Sequence, residues 1–225
     1  VGVAWSGSVD ALTAAGKGLL DGRGGVDAEL ELHLQTHGSV GGARVLLGAS
    51  RGGRLVAWEI LAWGGASQLA SAVCPSGRVD VLAHDPATAM AATCGGDDFA
   101  IHLWAVPSLQ LTHMLRRHTA PVNCLWLHDQ LLVSGGEDET IRLWWGHSYA
   151  SPPVCVACET TAGPVLSLVG SGGLLASGHA GKVSLWSLEV SAAAQGAVAV
   201  GWATLTPLRE LRSSMGRVCA LALQS

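Results

Sequence analysis

The run Leu132-Val-Ser-Gly-Gly-Glu-Asp-Glu-Thr-Ile-Arg-Leu-Trp144 decides how this chain folds. An apolar stretch is followed by a turn of Gly and acidic residues and then by a second stretch ending on Trp. In that second stretch Ile141 and Leu143 point one way while Thr140, Arg142 and Trp144 point the other, the period of two that marks a packed antiparallel strand. The same layout returns at Val45–Trp58, Ala92–Trp104 and Leu175–Trp186, and successive Trp residues lie 46, 40 and 42 residues apart. An apolar strand lies about twenty residues before the Trp of three of these units, at Arg78–Leu82, Pro121–Leu127 and Pro164–Val169, and Arg217–Leu223 opens a further unit. A less regular strand follows the Trp, as at Leu109–Leu115 and Pro153–Ala157. Four short strands per period of about 40 residues make a radial, all-β repeat of blades, and helical periodicity is nowhere sustained.

Composition agrees with a packed core and narrows the function. Of 225 residues, 49% are hydrophobic and 13% charged, which excludes a strongly solvated disordered chain. A net charge of −4 supplies no positive field for nucleic acid, and the apolar run 192–205 is interrupted by Gln195, Gly196 and Gly201, which speaks against membrane insertion. Six cysteines are too sparse for a disulfide scaffold, so a reducing, intracellular setting, the cytoplasm, is expected. The chain begins at Val1 with no Met and no basic segment before an apolar stretch, so no targeting signal is expected, and it reads as a fragment. Nine of eleven aromatic residues are Trp, which suggests a repeated post for indole.

Together with Arg117-His118-Thr119-Ala120-Pro121-Val122, the run ending at Trp144 resembles a WD40 repeat, with its Gly-His near the start and Trp-Asp at the end. Arg117 replaces the Gly, and the closing pairs are Trp58-Glu59, Trp104-Ala105, Trp144-Trp145 and Trp186-Ser187. The resemblance covers Ala43 to Leu223 and implies a β-propeller of four-stranded antiparallel blades, about four complete, with partial blades at both ends. Residues 1–42 then form a partial blade and an opening strand, with Val1–Trp5 the tail of an earlier Trp-ended strand and Glu29–Leu34 opening the blade of Trp58. Residues 43–225 hold the blades, with an Ala/Gly-rich insertion at 187–205 read as a mobile loop. Since WD40 propellers usually have about seven blades, further sequence, a partner chain that closes the ring, or a reduced ring is expected.

The resemblance also implies a buried relay in which Asp138 accepts from His118, His118 engages Ser134, and Ser134 accepts from the indole of Trp144. The same side chains would serve a hydrolase, with Ser134 as nucleophile, His118 as base and Asp138 as its orienter. In the unit of Trp104, Cys94 takes the place of the Ser and no His matches; the unit of Trp186 keeps Ser177 but has Ala180 and Thr161. Gly48-Ala-Ser50-Arg-Gly52 has nucleophile-elbow spacing, but a strand rather than a helix follows, so its glycines serve a hairpin turn. Cys155-Val-Ala-Cys158 lacks a second ligand pair, and an odd separation places the two thiols on opposite faces, as buried small hydrophobes. His33 and His37 lie in strand and loop rather than on a helical face. Gly16-Lys-Gly18 and Gly181-Lys182 complete no phosphate-binding motif. No cofactor and no metal are expected.

What remains is a non-catalytic interaction scaffold or substrate-recognition module within a larger protein or complex, taking protein or peptide partners. Arg116, Arg117, Trp126, Arg142 and Trp145 are the expected exposed contact residues at the blade mouths. The alternatives are an enzyme built on Ser134/His118/Asp138, on Ser50 or on Cys155/Cys158, and an architectural subunit that completes another chain's ring.

Overall fold

A computed structural model describes residues 32–40, 43–63, 65–146, 152–195 and 198–221; the expectations for Val1–Trp5 and for the Gly-rich stretch after it lie outside them. Among the described residues fifteen strands build four antiparallel sheets. The first holds β1 (Leu32–Val40), β2 (Ala43–Ser50), β3 (Arg54–Ile60) and β4 (Ala66–Val73) in that order. The second holds β5 (Val81–Asp85), β6 (Met90–Cys94), β7 (Ile101–Ala105) and β8 (Gln110–Leu115). The third holds β9 (Val122–His128), β10 (Leu131–Gly136), β11 (Thr140–Trp145) and β12 (Val154–Thr160).

The fourth sheet holds β13 (Ser167–Ser171), β14 (Leu174–Gln195) and β15 (Val198–Arg217). A straight run from Ser177 to Trp186 would span about 30 Å, yet the Trp186 indole N–H donates to Ser177 Oγ at 2.8 Å and Leu188 N donates to Gly173 O at 2.7 Å. β14 therefore doubles back on itself near Gly181, whose φ is +74°, and this sheet repeats the four-segment layout of the others.

Consecutive sheets meet through their first strands, β1 against β5, β5 against β9 and β9 against β13, as blades do around an axis. Each gap is filled by one core. Val45, Leu47 and Leu55 of the first sheet meet Trp104; Ile101 and Leu103 of the second meet Trp144; Ile141 and Leu143 of the third meet Trp186. Trp104, Trp144 and Trp186 thus each face the blade before their own, and Trp58, whose blade comes first among the described residues, is only half-buried. Among the described residues the first and fourth sheets do not pack together as neighbours do, so the blades form an open arc of a β-propeller.

Two features depart from the sequence reading. Residues 187–195 and 198–205, expected as a loop, are paired strand: Leu188 lies opposite Leu205 and Val190 opposite Ala203. Leu188, Ala203 and Leu205 are buried in the core shared with the third sheet, and that burial holds the extended hairpin against it. The second feature is a bulge on the outer strand beside every repeat Trp, where the register shifts at Ala57/Trp58, Leu103/Trp104, Leu143/Trp144 and Leu185/Trp186. At the far end Val218 N donates to His179 O (3.0 Å) as Val165 N donates to Gly136 O (3.1 Å), so Val218 stands to the fourth sheet as Val165 does to the third.

Candidate functional site

The third sheet brings four predicted side chains into one chain of hydrogen bonds. Trp144, on the side of β11 that faces the second sheet, donates its indole N–H to Ser134 Oγ at 2.9 Å. Ser134 Oγ lies 2.7 Å from His118 Nε2, and His118 Nδ1 lies 2.8 Å from Asp138 Oδ2. An ionised Asp138 only accepts, so Nδ1 carries the proton, Nε2 accepts, and the Ser134 hydroxyl donates to it. The Asp138 carboxylate also takes the backbone N–H of Thr119 (3.1 Å), the backbone N–H of Thr140 (3.2 Å) and the Thr140 hydroxyl (2.8 Å). Burial pushes the His118 imidazole below its ordinary range, although Asp138 pulls the other way. Burial would raise the Asp138 carboxyl, but the hydrogen bonds from Thr140 and Thr119 and the nearby His118 outweigh it and hold the carboxyl low. The result is a neutral imidazole against a carboxylate. The Ser134 oxygen is fully buried and engaged by both neighbours.

The neighbouring sheets answer the same need, a partner for a buried indole N–H, with different side chains. In the second, Trp104 donates to Thr93 Oγ1 at 2.9 Å, so Thr93, and not Cys94, takes the Ser position. Register explains the error: Thr93 pairs with His102 and Ser134 with Arg142, each two residues before its Trp, but the Thr93 hairpin is one residue longer. Cys74 Sγ lies 3.8 Å from Thr93 Oγ1, where His118 would stand. Burial alone would raise the Cys74 thiol, but His102 and Ser76 beside it bring it below its ordinary value. In the fourth sheet Ser177 Oγ meets His179 Nε2 at 2.9 Å, and His179 Nδ1 donates to Pro164 O at 3.0 Å. The place expected for such a His, in the preceding loop, holds Thr161, and the imidazole stands instead two residues after the Ser. In the first sheet Gly48 holds the register position of Ser134, paired with Val56 two residues before Trp58, and offers no hydroxyl.

The expected contact residues divide. Arg116 and Arg117 are exposed at the mouth between the second and third sheets, where Arg116 Nη2 lies 3.8 Å from Asp98 Oδ2. Trp126, Arg142 and Trp145 are not exposed as expected. Trp126 lies over the backbone of Gly170, where an added Cβ would come within 2.6 Å of the ring, and Trp145 packs against the core between the third and fourth sheets. Arg142 is half-buried, with Nη2 4.0 Å from Asp138 Oδ2. At the same mouth a cavity of about 330 Å³ opens, lined among others by Arg78, Asp80, Asp97, Phe99 and Asn123. Ser50, the other serine considered, accepts from Arg54 N (3.2 Å) within a hairpin turn.

The sequence profile of the "WD domain, G-beta repeat" family matches residues 109–144, the stretch that runs from β8 to the Trp of the relay. This stretch is a WD40 repeat. "Periodic tryptophan protein 2" of Saccharomyces cerevisiae is 32% identical over 117 residues, half of this chain and 12% of that protein. The "Periodic tryptophan protein 2 homolog" of Neurospora crassa is 40% identical over 65 residues, 28% of this chain and 7% of that protein. The chain thus spans a small part of the relatives it matches. Among solved structures, the computationally designed Ika8 protein superposes with a TM-score of 0.61 at 21% identity, over 80% of this chain and 50% of that one. A chain of the Mitotic Checkpoint Complex gives 0.60 at 22%, over 78% and 53%. Both are similar in fold.

Proposed function

We propose that this WD40 chain is a non-catalytic interaction module of a larger intracellular protein or complex and presents the mouth between its second and third blades to a protein or peptide partner. The observation that carries this reading is the state of Ser134. Its single hydroxyl proton goes to His118, its oxygen takes the Trp144 indole, and no part of it reaches solvent. A nucleophile needs an open face and a place for the reacting carbonyl; here the same atoms close a polar gap between blades, which is the structural role assigned to His118, Ser134, Asp138 and Trp144. Exposed Arg116 and Arg117, in the segment that joins the second sheet to the third, are the contact residues this reading keeps, because Arg is enriched at interface hot spots.

Two measurements test it. A fluorophosphonate probe leaves Ser134 unlabelled in the folded chain; stoichiometric labelling would restore the hydrolase. A photo-crosslinking residue at position 117 of the full chain captures a discrete protein partner, whereas one at exposed Val73, on the outer edge of the first sheet, does not. Equal capture at both positions would move the contact away from this mouth.

A second reading draws on the open arc. Trp58 on the first sheet, and Val183 and Leu185 on the fourth, are half-buried where their counterparts Trp144, Ile141 and Leu143 are covered. Blades of the same polypeptide or of another chain would cover these faces. Light scattering of residues 1–225 alone tests it: a monomer with a cooperative melt argues against the need for cover, and aggregation argues for it.

A further inference from the structure

The bulge on β12 changes what Cys155 and Cys158 are. In a regular strand, residues three apart face opposite sides. Here Trp144 pairs with Cys155 and Arg142 with Cys158, while Leu143 pairs with Ala157. Directly opposed residues of an antiparallel pair share a face, and Trp144 and Arg142 share one on β11. The packing agrees: Val156 and Ala157, though consecutive, both pack into the core toward the fourth sheet, and Cys155 packs into the one toward the second. Both thiols therefore lie on one face. Their partners are two residues apart, which brings the two Cα atoms to about 7 Å, at the upper end of what a disulfide spans.

We propose that Cys155 and Cys158 form a redox-active dithiol that closes to an intrachain disulfide by exchange with a low-molecular-weight disulfide. Cys158 is exposed and Cys155 half-buried, whereas Cys74, Cys94 and Cys124 are buried. Access makes Cys158 the first nucleophile. Its thiolate attacks one sulfur of the small disulfide, that S–S bond breaks, and one small thiol leaves. Cys155, losing its proton to solvent, attacks the mixed disulfide and releases the second small thiol; the protein dithiol is oxidised by two electrons and the small disulfide reduced by two. Burial raises the Cys155 thiol, but the guanidiniums of Arg142 and Arg117 favour its thiolate. A bridge at the limit of its reach is strained and easily reduced, the character of a labile rather than a structural disulfide.

Cys219, exposed and without a second cysteine near it in sequence, serves as an internal comparison. The folded full chain is treated with glutathione disulfide, the remaining thiols are alkylated, and tryptic peptides are weighed; Leu143–Lys182 carries both cysteines and no others. The expected result is this peptide lighter by two hydrogens and free of glutathione, while the peptide of Cys219 carries one glutathione. Cys155→Ser leaves one glutathione on Cys158, and Cys158→Ser leaves Cys155 reduced. A wild-type peptide that instead holds glutathione on Cys158 with Cys155 free, or that does not react while Cys219 does, overturns the proposal. Melts of both variants close to that of the wild type establish that these outcomes report thiol chemistry and not loss of fold.

Discussion

His179 in the fourth blade fills the position that Gly136 leaves vacant in the third. Each lies two residues after the Ser that accepts its Trp indole. A Cβ on Gly136 would come within 3.2 Å of His118 Nδ1 and 2.9 Å of Pro121 O. His179, at that same place, reaches Ser177 with Nε2 and donates from Nδ1 to Pro164 O. The imidazole thus arrives from the preceding loop in one blade and from the hairpin in the other, and only the loop version recruits a carboxylate.

His118→Ala leaves Ser134 and Asp138 without their shared partner and is expected to cost about 1–3 kcal/mol, the penalty of an unpaired buried polar group. His179→Ala removes a partner from Ser177 and from a backbone carbonyl, and its cost falls toward the low end of that range because no carboxylate is stranded. Denaturant melts of the two variants check both the size and the order. An unchanged midpoint for His118→Ala would remove the relay from the account of stability.

Acid should weaken the fold in two stages. His118 and His179 are both held neutral by burial, their pKa values below the ordinary value of 6.5. The unfolded chain then binds protons that the folded chain refuses as pH drops past about 6.5, so stability falls with acidification from there. Asp138, held below 3.8, contributes stability above its unfolded value that is lost as pH falls through its folded one. Thermal midpoints from pH 8 to pH 4 should be level near the top and decline below about pH 6.5, with a smaller decline in His179→Gln. A midpoint that rises on acidification through pH 6 would contradict the neutral assignment.

Thr93, and not the Cys94 expected from the sequence, accepts the Trp104 indole, and substitution separates the two. Thr93→Ser keeps the acceptor for Trp104 and should change stability by less than about 1 kcal/mol, while Thr93→Val strands the indole N–H and costs about 1–3 kcal/mol. Cys94→Ala removes a thiol that donates weakly to Val122 O at 3.3 Å, and should cost less than Thr93→Val. The reverse order would return the Ser position to Cys94. Chemical denaturation of the three variants decides it.

The repeat, the strands and the Trp posts were legible because alternation and a period near 42 residues are written in residue type. The set His118, Ser134, Asp138 and Trp144 was legible through its likeness to a known repeat. The relay partners in the other blades were not, because hairpins of different length shift the spacing from Ser or Thr to Trp by a residue, and only strand pairing restores it. The common face of Cys155 and Cys158 was hidden for a related reason: a bulge adds one residue to the outer strand, and no residue type announces it. Trp126 looked exposed because its cover, Gly170, presents only backbone.

Gly170 lies on β13 and Trp126 on β9, the first strands of adjoining blades, and a Cβ on Gly170 would sit 2.6 Å from the indole. The atom it would strike belongs to a rigid ring packed against the core, so little can give way. Gly170→Ala should destabilise the chain by about 1–3 kcal/mol through overpacking. Gly52→Ala, where the nearest atom is Ser50 Oγ at 3.8 Å, is the control and should be close to neutral. Replacing the ring as well, Gly170→Ala with Trp126→Leu, removes the collision, and the two changes should cost less together than their separate costs summed, by about 0.5–3 kcal/mol. Strict additivity in that cycle would mean that the first strands of the third and fourth blades are not pressed together through this pair.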